Sequence, residues 1–353
     1  MRSVPASASN DIRMTNVESR SRPQMADETS PLDRALRAIG DPWSFLIQQE
    51  AFFGVRRFGD FQRNLNIAKN TLTDRLSLLV EFGLLERKRL PDRSDIHEYR
   101  LTARGLDTYP YALSLMRWGD DWLAGKDGPP VILSHKTCGR VLRPKAICSA
   151  CKREVNAEDI QINLGNLAET ARKDVAQVRV SSRPELYTAG RPTSVSRTLS
   201  VIGDRWGFFV LWLALAGVTK FEHFHSILGI ARTTLTARLN HFVERGLLDR
   251  LEYQSRPPRH EYRLSESGKA ICPVLLTLHD WGLRGLHKHA PRTSVLHRSC
   301  GQPLHIEIVC VACGNPPLPK DVEVKQVHLV APRARKARPP AITSKKGARR
   351  AKA

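Results

Sequence analysis

Long apolar runs, acidic charge and aromatic side chains are all scarce in this chain. Its longest strongly apolar run, Phe208 to Val218, falls far short of the ~20 residues a membrane-spanning helix needs. The first 30 residues lack the basic-then-apolar pattern of a secretion signal, so a soluble, cytoplasmic protein without membrane contact is expected. Only 35 Asp and Glu stand against 56 Lys and Arg, for a formal net charge of +21. That balance points to polyanionic partners, without choosing among DNA, RNA and anionic lipid. No Gly-x4-Gly-Lys-Ser/Thr phosphate loop and no nucleophile elbow occurs. Seven cysteines in a chain of 353 residues argue for thiols or metal ligands rather than a disulfide framework.

What the chain does contain is a duplication. Shifting it by 163 positions (Trp206 minus Trp43) lays Ile39 to Leu101 on Ile202 to Leu264 with 30 identities in 63 gap-free positions. The period is too long for a solenoid, so each unit should carry its own core. Composition divides the remainder. Residues 1–30 and the Lys/Arg-rich 331–353 are expected to be disordered tails, and 163–190 a linker with a helix over Leu164 to Val180. The two main units are expected at 31–127 and 193–290, each followed by a cysteine-bearing β extension, 131–162 and 293–326.

Within the first unit, Leu72, Leu76, Leu79 and Val80 lie on one helical face that ends at Gly83. Phe58, Phe61 and Leu65 mark a shorter helix before it, joined through Asn66-Ile67-Ala68, with Asn70-Thr71 as the expected N-cap. Short helix, tight turn and longer helix make a helix-turn-helix. Leu84 to Leu90 and His97 to Leu101 read as two strands around a turn at Pro91 to Ser94, forming a wing. The expected fold class is mainly α with small β: two winged helix-turn-helix domains, each followed by its extension.

These residues resemble the HxlR-type winged helix-turn-helix regulators. The likeness rests on Ile202-Gly203-Asp204-Arg205-Trp206, Gly54-Val55-Arg56-Arg57-Phe58, Leu72-Thr73-Asp74-Arg75-Leu76, Glu81-Phe82-Gly83-Leu84-Leu85 and Tyr99-Arg100-Leu101-Thr102, with Arg259-His260-Glu261-Tyr262 in the duplicate. It covers roughly residues 30–125 and 193–288. The resemblance implies a transcription regulator, here expected to repress, that binds double-stranded DNA and is not an enzyme. Single-copy members pair as homodimers, so the two repeats are expected to form an intramolecular pseudo-dimer on one operator, with related but unequal half-sites. Oxidant-sensing members carry a cysteine about 13 residues before the tryptophan; Ser30 and Thr193 stand there instead. No effector can be read from the sequence.

A major groove admits one helix, which reads bases with its N-terminal turn and outward face. The expected DNA-binding residues are Lys69, Asn70, Thr73 and Arg75 on the first recognition helix and Arg232, Thr233, Thr236 and Arg238 on the second. For the two arginines at 75 and 238, pairing with a local acid such as Glu81 or Glu244 is the competing reading. In the wings, Arg93 and His97 align with Arg256 and His260, Arg259 adds charge, and phosphate or minor-groove contact is expected. Trp43, Trp118, Trp206 and Trp281 are expected to pack rather than to form a ligand cage.

His135, Cys138, Cys148 and Cys151 form His-x2-Cys-x9-Cys-x2-Cys, and His297, Cys300, Cys310 and Cys313 repeat it. Each set is expected to hold one structural zinc within its own extension; reduced thiols retained by duplication are the alternative. Cys272 stands apart and is read as packing. Two rivals remain. The charge fits a non-specific nucleoid-associated protein. His305-x-Glu307 before Cys310-x2-Cys313 superficially matches a zinc deaminase, but the spacer is two residues, Val309 replaces the proline, and Arg143 and Lys145 occupy the aligned places.

Overall fold

The computed structural model describes residues 31–90, 93–126, 128–165, 193–286 and 294–327. The expected tails, most of the linker and the wing-turn residues Pro91 and Asp92 lie outside it. In the first repeat, helices α1 (Pro31–Ile39), α2 (Pro42–Phe52), α3 (Phe58–Leu65) and α4 (Lys69–Glu81) lead into strands β1 (Leu85–Leu90) and β2 (Arg93–Leu101), then α5 (Ala103–Leu106) and α6 (Tyr109–Leu123). Its extension supplies β3 (Val131–His135), β4 (Arg140–Val141), β5 (Pro144–Cys148) and β6 (Ile160–Asn163). The second repeat follows the same order with α7 (Ser194–Ile202), α8 (Arg205–Leu215), α9 (Phe221–Leu228), α10 (Arg232–Glu244), β7 (Leu248–Ser255), β8 (Pro258–Leu264), α11 (Glu266–Ala270) and α12 (Cys272–Leu286). The second extension ends the described chain with β9 (Ser294–His297), β10 (Gln302–Pro303), β11 (Ile306–Cys310) and β12 (Val322–Val327). No single described helix is long and apolar enough to cross a membrane.

Local chemistry explains the boundaries. Asp41 and Asp204 cap α2 and α8 by accepting backbone N–H bonds from Ser44 and from Trp206 and Gly207. α4 buries Leu72, Leu76 and Leu79, and α10 buries Leu235, Leu239 and Phe242. Gly83 and Gly246 follow these helices at φ +68° and +72°, a left-handed turn that favours glycine. The N-cap of α4 is Ala68 without a side-chain bond, so Asn70 and Thr71 lie inside the helix rather than capping it. β2 starts at Arg93, earlier than the expected His97, and pairs with β1 from Leu85↔Leu101 to Arg89↔His97.

The repeats are joined by exchange. α1 packs on α12 of the other repeat, α6 packs on α7, and α6 also meets α12. The close approach of α6 to α7 requires Gly119, where a Cβ would lie 2.5 Å from the Ser194 carbonyl oxygen. Thr198 Oγ1 donates to the Leu115 carbonyl at 2.8 Å across this seam, and Arg197 donates to that of Leu123 at 3.1 Å. At the centre Tyr111 stacks edge-on to Phe45 at 4.7 Å and reaches Phe208 of the other repeat at 6.3 Å. Phe45, Tyr111, Phe209, Trp212 and Trp281 are fully buried, and burial of each such side chain stabilises by roughly 1.5–3 kcal/mol.

The extensions exchange strands as well. β12 pairs with β3, β9 with β6, and β11 with β5, all antiparallel across repeats. In the last pair Ala146 faces Ile308, its own equivalent in the other extension (135 to 297, like 146 to 308, is a shift of 162), so this pair straddles an approximate two-fold axis.

Candidate DNA interface and metal centres

Each helix-turn-helix is set by a left-handed residue after its first helix: Asn66 (φ 50°) after α3 and Gly229 (φ 64°) after α9. On the helices that follow, Lys69, Asn70 and Thr73 are exposed in the first repeat, and Arg232, Thr233 and Thr236 in the second. Asp74 and Ser77, like Ala237 and Asn240, complete each outward face. Ser77 and Asn240 were not among the expected site residues, although each lies four positions after an outward threonine. Thr73 Oγ1 donates back to the Lys69 carbonyl, and Arg232 forms a bidentate pair with Glu222, both N···O distances 2.7 Å.

Arg75 and Arg238 have acidic partners within the protein. Each sits beside the buried leucine stripe, and its guanidinium turns inward to the capping acid of the preceding core helix. Arg75 pairs with Asp41 at 3.0 Å and Arg238 with Asp204. The acids are thus Asp41 and Asp204, and not the expected Glu81 and Glu244. Burial pushes the Asp41 carboxyl above the usual carboxylate range, against the pull of Arg75.

Each wing is tied to the residue before the helix-turn-helix by an isolated bridge, Arg57↔Glu98 and Lys220↔Glu261. Arg256 and Arg259 are exposed at the second wing, and His260 is half-buried. Arg93 lies in β2, while the half-buried His97 has Nδ1 3.3 Å from Arg87 Nη2. Trp118 and Trp281 are buried, Trp118 donating from Nε1 to the Ser267 carbonyl of the other repeat at 2.9 Å. Cys272 is wholly buried, which raises its thiol pKa.

Strand exchange also corrects the grouping of the cysteines. Two clusters form, His135, Cys138, Cys310 and Cys313 in one and Cys148, Cys151, His297 and Cys300 in the other, the ligand atoms of each lying within 4.8 Å of one another. Each joins the His-x2-Cys of one extension to the Cys-x2-Cys of the other, where the spacing alone had suggested four ligands from one extension. The physical reason is the exchange of strands: β3, which carries His135, pairs with β12 of the other extension, β9, which carries His297, pairs with β6, and the two second-knuckle strands β5 and β11 pair with each other. His135 Nδ1 lies 3.4 Å from Cys313 Sγ, and His297 Nδ1 lies 3.3 Å from both Cys151 and Cys300 Sγ. Tetrahedral Zn–S and Zn–N bonds of ~2.3 and ~2.0 Å place ligand atoms roughly 3.5–3.8 Å apart, so the spacing fits a metal ion. Both Nε2 atoms are buried without a hydrogen-bond partner among the described residues, which leaves Nδ1 as the nitrogen turned to the sulfurs. Backbone N–H bonds from Arg140 and Arg153 hold the Cys138 and Cys151 thiols below their ordinary range. His305 and Glu307 belong to neither cluster; they pair with Asp280 and Lys152 at 2.8 and 2.9 Å.

Two helix-turn-helix units with wings, on a strongly basic chain, define a DNA-binding transcription regulator. The chain belongs to the HxlR-like helix-turn-helix family, whose model matches residues 38–127 and 201–290, together just over half of its length. An uncharacterized HTH-type transcriptional regulator of Mycobacterium tuberculosis is 45% identical over 133 residues, 38% of this chain and 84% of that protein. The uncharacterized HTH-type transcriptional regulator YdeP of Bacillus subtilis is 34% identical over 89 residues, 25% of this chain and 70% of that protein. Among solved structures, the redox regulator HypR in its reduced form shows 32% identity and a TM-score of 0.25, over 26% of this chain and 91% of that one.

Proposed function

We propose that one chain acts as a sequence-specific repressor on one operator, with the work of a family homodimer done by residues 31–127 and 193–290 of a single polypeptide. The observation that carries this reading is the exchange of α1, α6, α7 and α12 between the repeats, which makes their pairing independent of protein concentration. Lys69, Asn70 and Thr73 read one half-site and Arg232, Thr233 and Thr236 the other. Lys69, Asn70, Asp74 and Ser77 align with Arg232, Thr233, Ala237 and Asn240, so the half-sites are related but unequal. Arg93, His97, Arg256, Arg259 and His260 meet the flanking backbone or minor groove. Arg232 is held by Glu222, and a phosphate or guanine edge must compete for it. Arg75 and Arg238 act as positioning residues. Light scattering of the free and bound protein, with footprinting, tests the reading: one chain on one imperfect palindrome is expected, and two chains on a minimal operator would overturn it.

The two cysteine clusters hold zinc in this reading, structurally, because four protein ligands leave no open coordination position. With ligands drawn from both extensions, each ion cross-links the two halves of the molecule. The +21 charge favours a second reading, non-specific binding to bulk DNA, aided by the basic residues 331–353. Selection of genomic fragments by the purified protein at near-physiological salt separates the two: a common motif supports the repressor, and its absence supports bulk binding.

A further inference from the structure

We propose that the chain binds one small, flat, mainly apolar aromatic molecule in a cavity between the repeats, at a place where the second repeat carries an indole ring of its own. The cavity, about 80 Å³, is walled by Phe52 from the end of α2, Tyr109 and Met116 from α6, Val195 from α7 and Val324 from β12, with Gln49 beside them. At the aligned positions of the second repeat (49 plus 163 and 116 plus 163) stand Trp212 and His279. Their rings stack at 4.9 Å between centroids and 20° between planes, and they are 1% and 4% exposed. Gln49 and Met116 thus remove a stacked aromatic pair from one of two equivalent places.

Protein interiors ordinarily close such a gap. Here the gap persists with aromatic walls, Phe52 and Tyr109 standing 5.1 Å apart, and with one polar group, the Gln49 amide oxygen, accepting from Thr193 Oγ1 at 3.2 Å. Apolar walls with a few placed polar groups are the composition of a small-molecule site. The missing indole sets the ligand class: one ring or a fused pair, lying against Met116 as rings do against thioethers, with one N–H or O–H for the Gln49 amide. An enclosed apolar cavity of roughly 150 Å³ holds benzene. This smaller one is bordered by Phe53, which is 37% exposed, so the ring is held partly within the protein. The walls come from both repeats, so an occupant bears on their pairing to the extent that it prefers one arrangement.

Calorimetric titration of the full chain with indole and with 2-naphthol tests the site, and it needs no DNA. One saturable site per chain is expected in the wild type, with at least tenfold weaker binding in Gln49→Trp, whose new ring fills the space as Trp212 does. Because Gln49→Trp can fail to fold, Met116→Ala serves as a second variant: it enlarges the cavity and is expected to shift preference toward 2-naphthol. No saturable binding of either probe, two equal sites per chain, or unchanged affinity in a folded Gln49→Trp and unchanged preference in Met116→Ala would each overturn the proposal.

Discussion

The paired arginines Arg75 and Arg238 show how one side chain joins a recognition helix to the core beneath it. Each guanidinium is largely shielded and bonded to a capping carboxylate, and hydrogen bonds to charged groups stabilise by ~1.5–3 kcal/mol. Arg238→Ala is expected to lower stability by about 2 kcal/mol and to weaken binding to all operators alike, without changing base preference; denaturant unfolding and competition binding check this. A change of preference at one base pair would instead support a base-reading role. Asp120, in the seam between α6 and α7, has its pKa raised to about 6, chiefly by burial, with Ser194 donating to its carboxylate. A raised carboxyl pKa gives stability that is full below the unfolded value near 3.8 and is lost as pH rises through about 6. Relative to Asp120→Asn, the wild type is therefore expected to lose stability between pH 4 and 6, and parallel unfolding profiles for the two proteins would refute this.

At the scale of elements, the two recognition helices share a buried stripe and differ on the outward face. Replacing Lys69, Asn70, Asp74 and Ser77 by the aligned Arg, Thr, Ala and Asn is expected to make the two half-sites alike, so that selected operators become symmetric palindromes. Asn70→Ala alone is expected to cost about 1–3 kcal/mol of discrimination at one base pair, read from binding to operators varied at single positions. The outward faces were legible because helical periodicity fixes which positions cannot be buried. The inward turn of Arg75 was not, because its partner Asp41 lies 34 residues away and is brought close only when α2 packs on α4.

At the scale of the whole molecule, the exchanged strands give the two Cys/His clusters a pairing that can be distinguished chemically. Cys138→Ser with Cys313→Ser removes ligands from one cluster only, so the double variant is expected to retain one metal ion per chain. Cys138→Ser with Cys148→Ser damages both clusters, and little or no tightly held metal is expected. Centres confined to single extensions would reverse the pattern, because Cys138 and Cys148 would then share a site. Metal analysis of the purified, reduced proteins distinguishes the two arrangements. Chelation of the wild type is expected to destabilise the joined extensions, since an ion in each cluster would bridge the halves.

The duplication, the winged helix-turn-helix in each copy, the outward-facing residues of the helix after each turn and all eight Cys and His side chains of the two clusters follow from order and spacing along the chain, since each depends on neighbours a few residues apart or on a repeat visible in the letters. What the tertiary structure decided are the relations between the copies. Which cysteine pair completes which histidine pair, which helix of one repeat covers the other, and where a missing tryptophan leaves a cavity are all settled by contacts between residues more than 100 positions apart. Two repeats with the same ligand spacing satisfy a tetrahedral metal equally well within one extension or between two. Only the pairing of β3 with β12, β9 with β6 and β5 with β11 across the approximate two-fold axis selects the second.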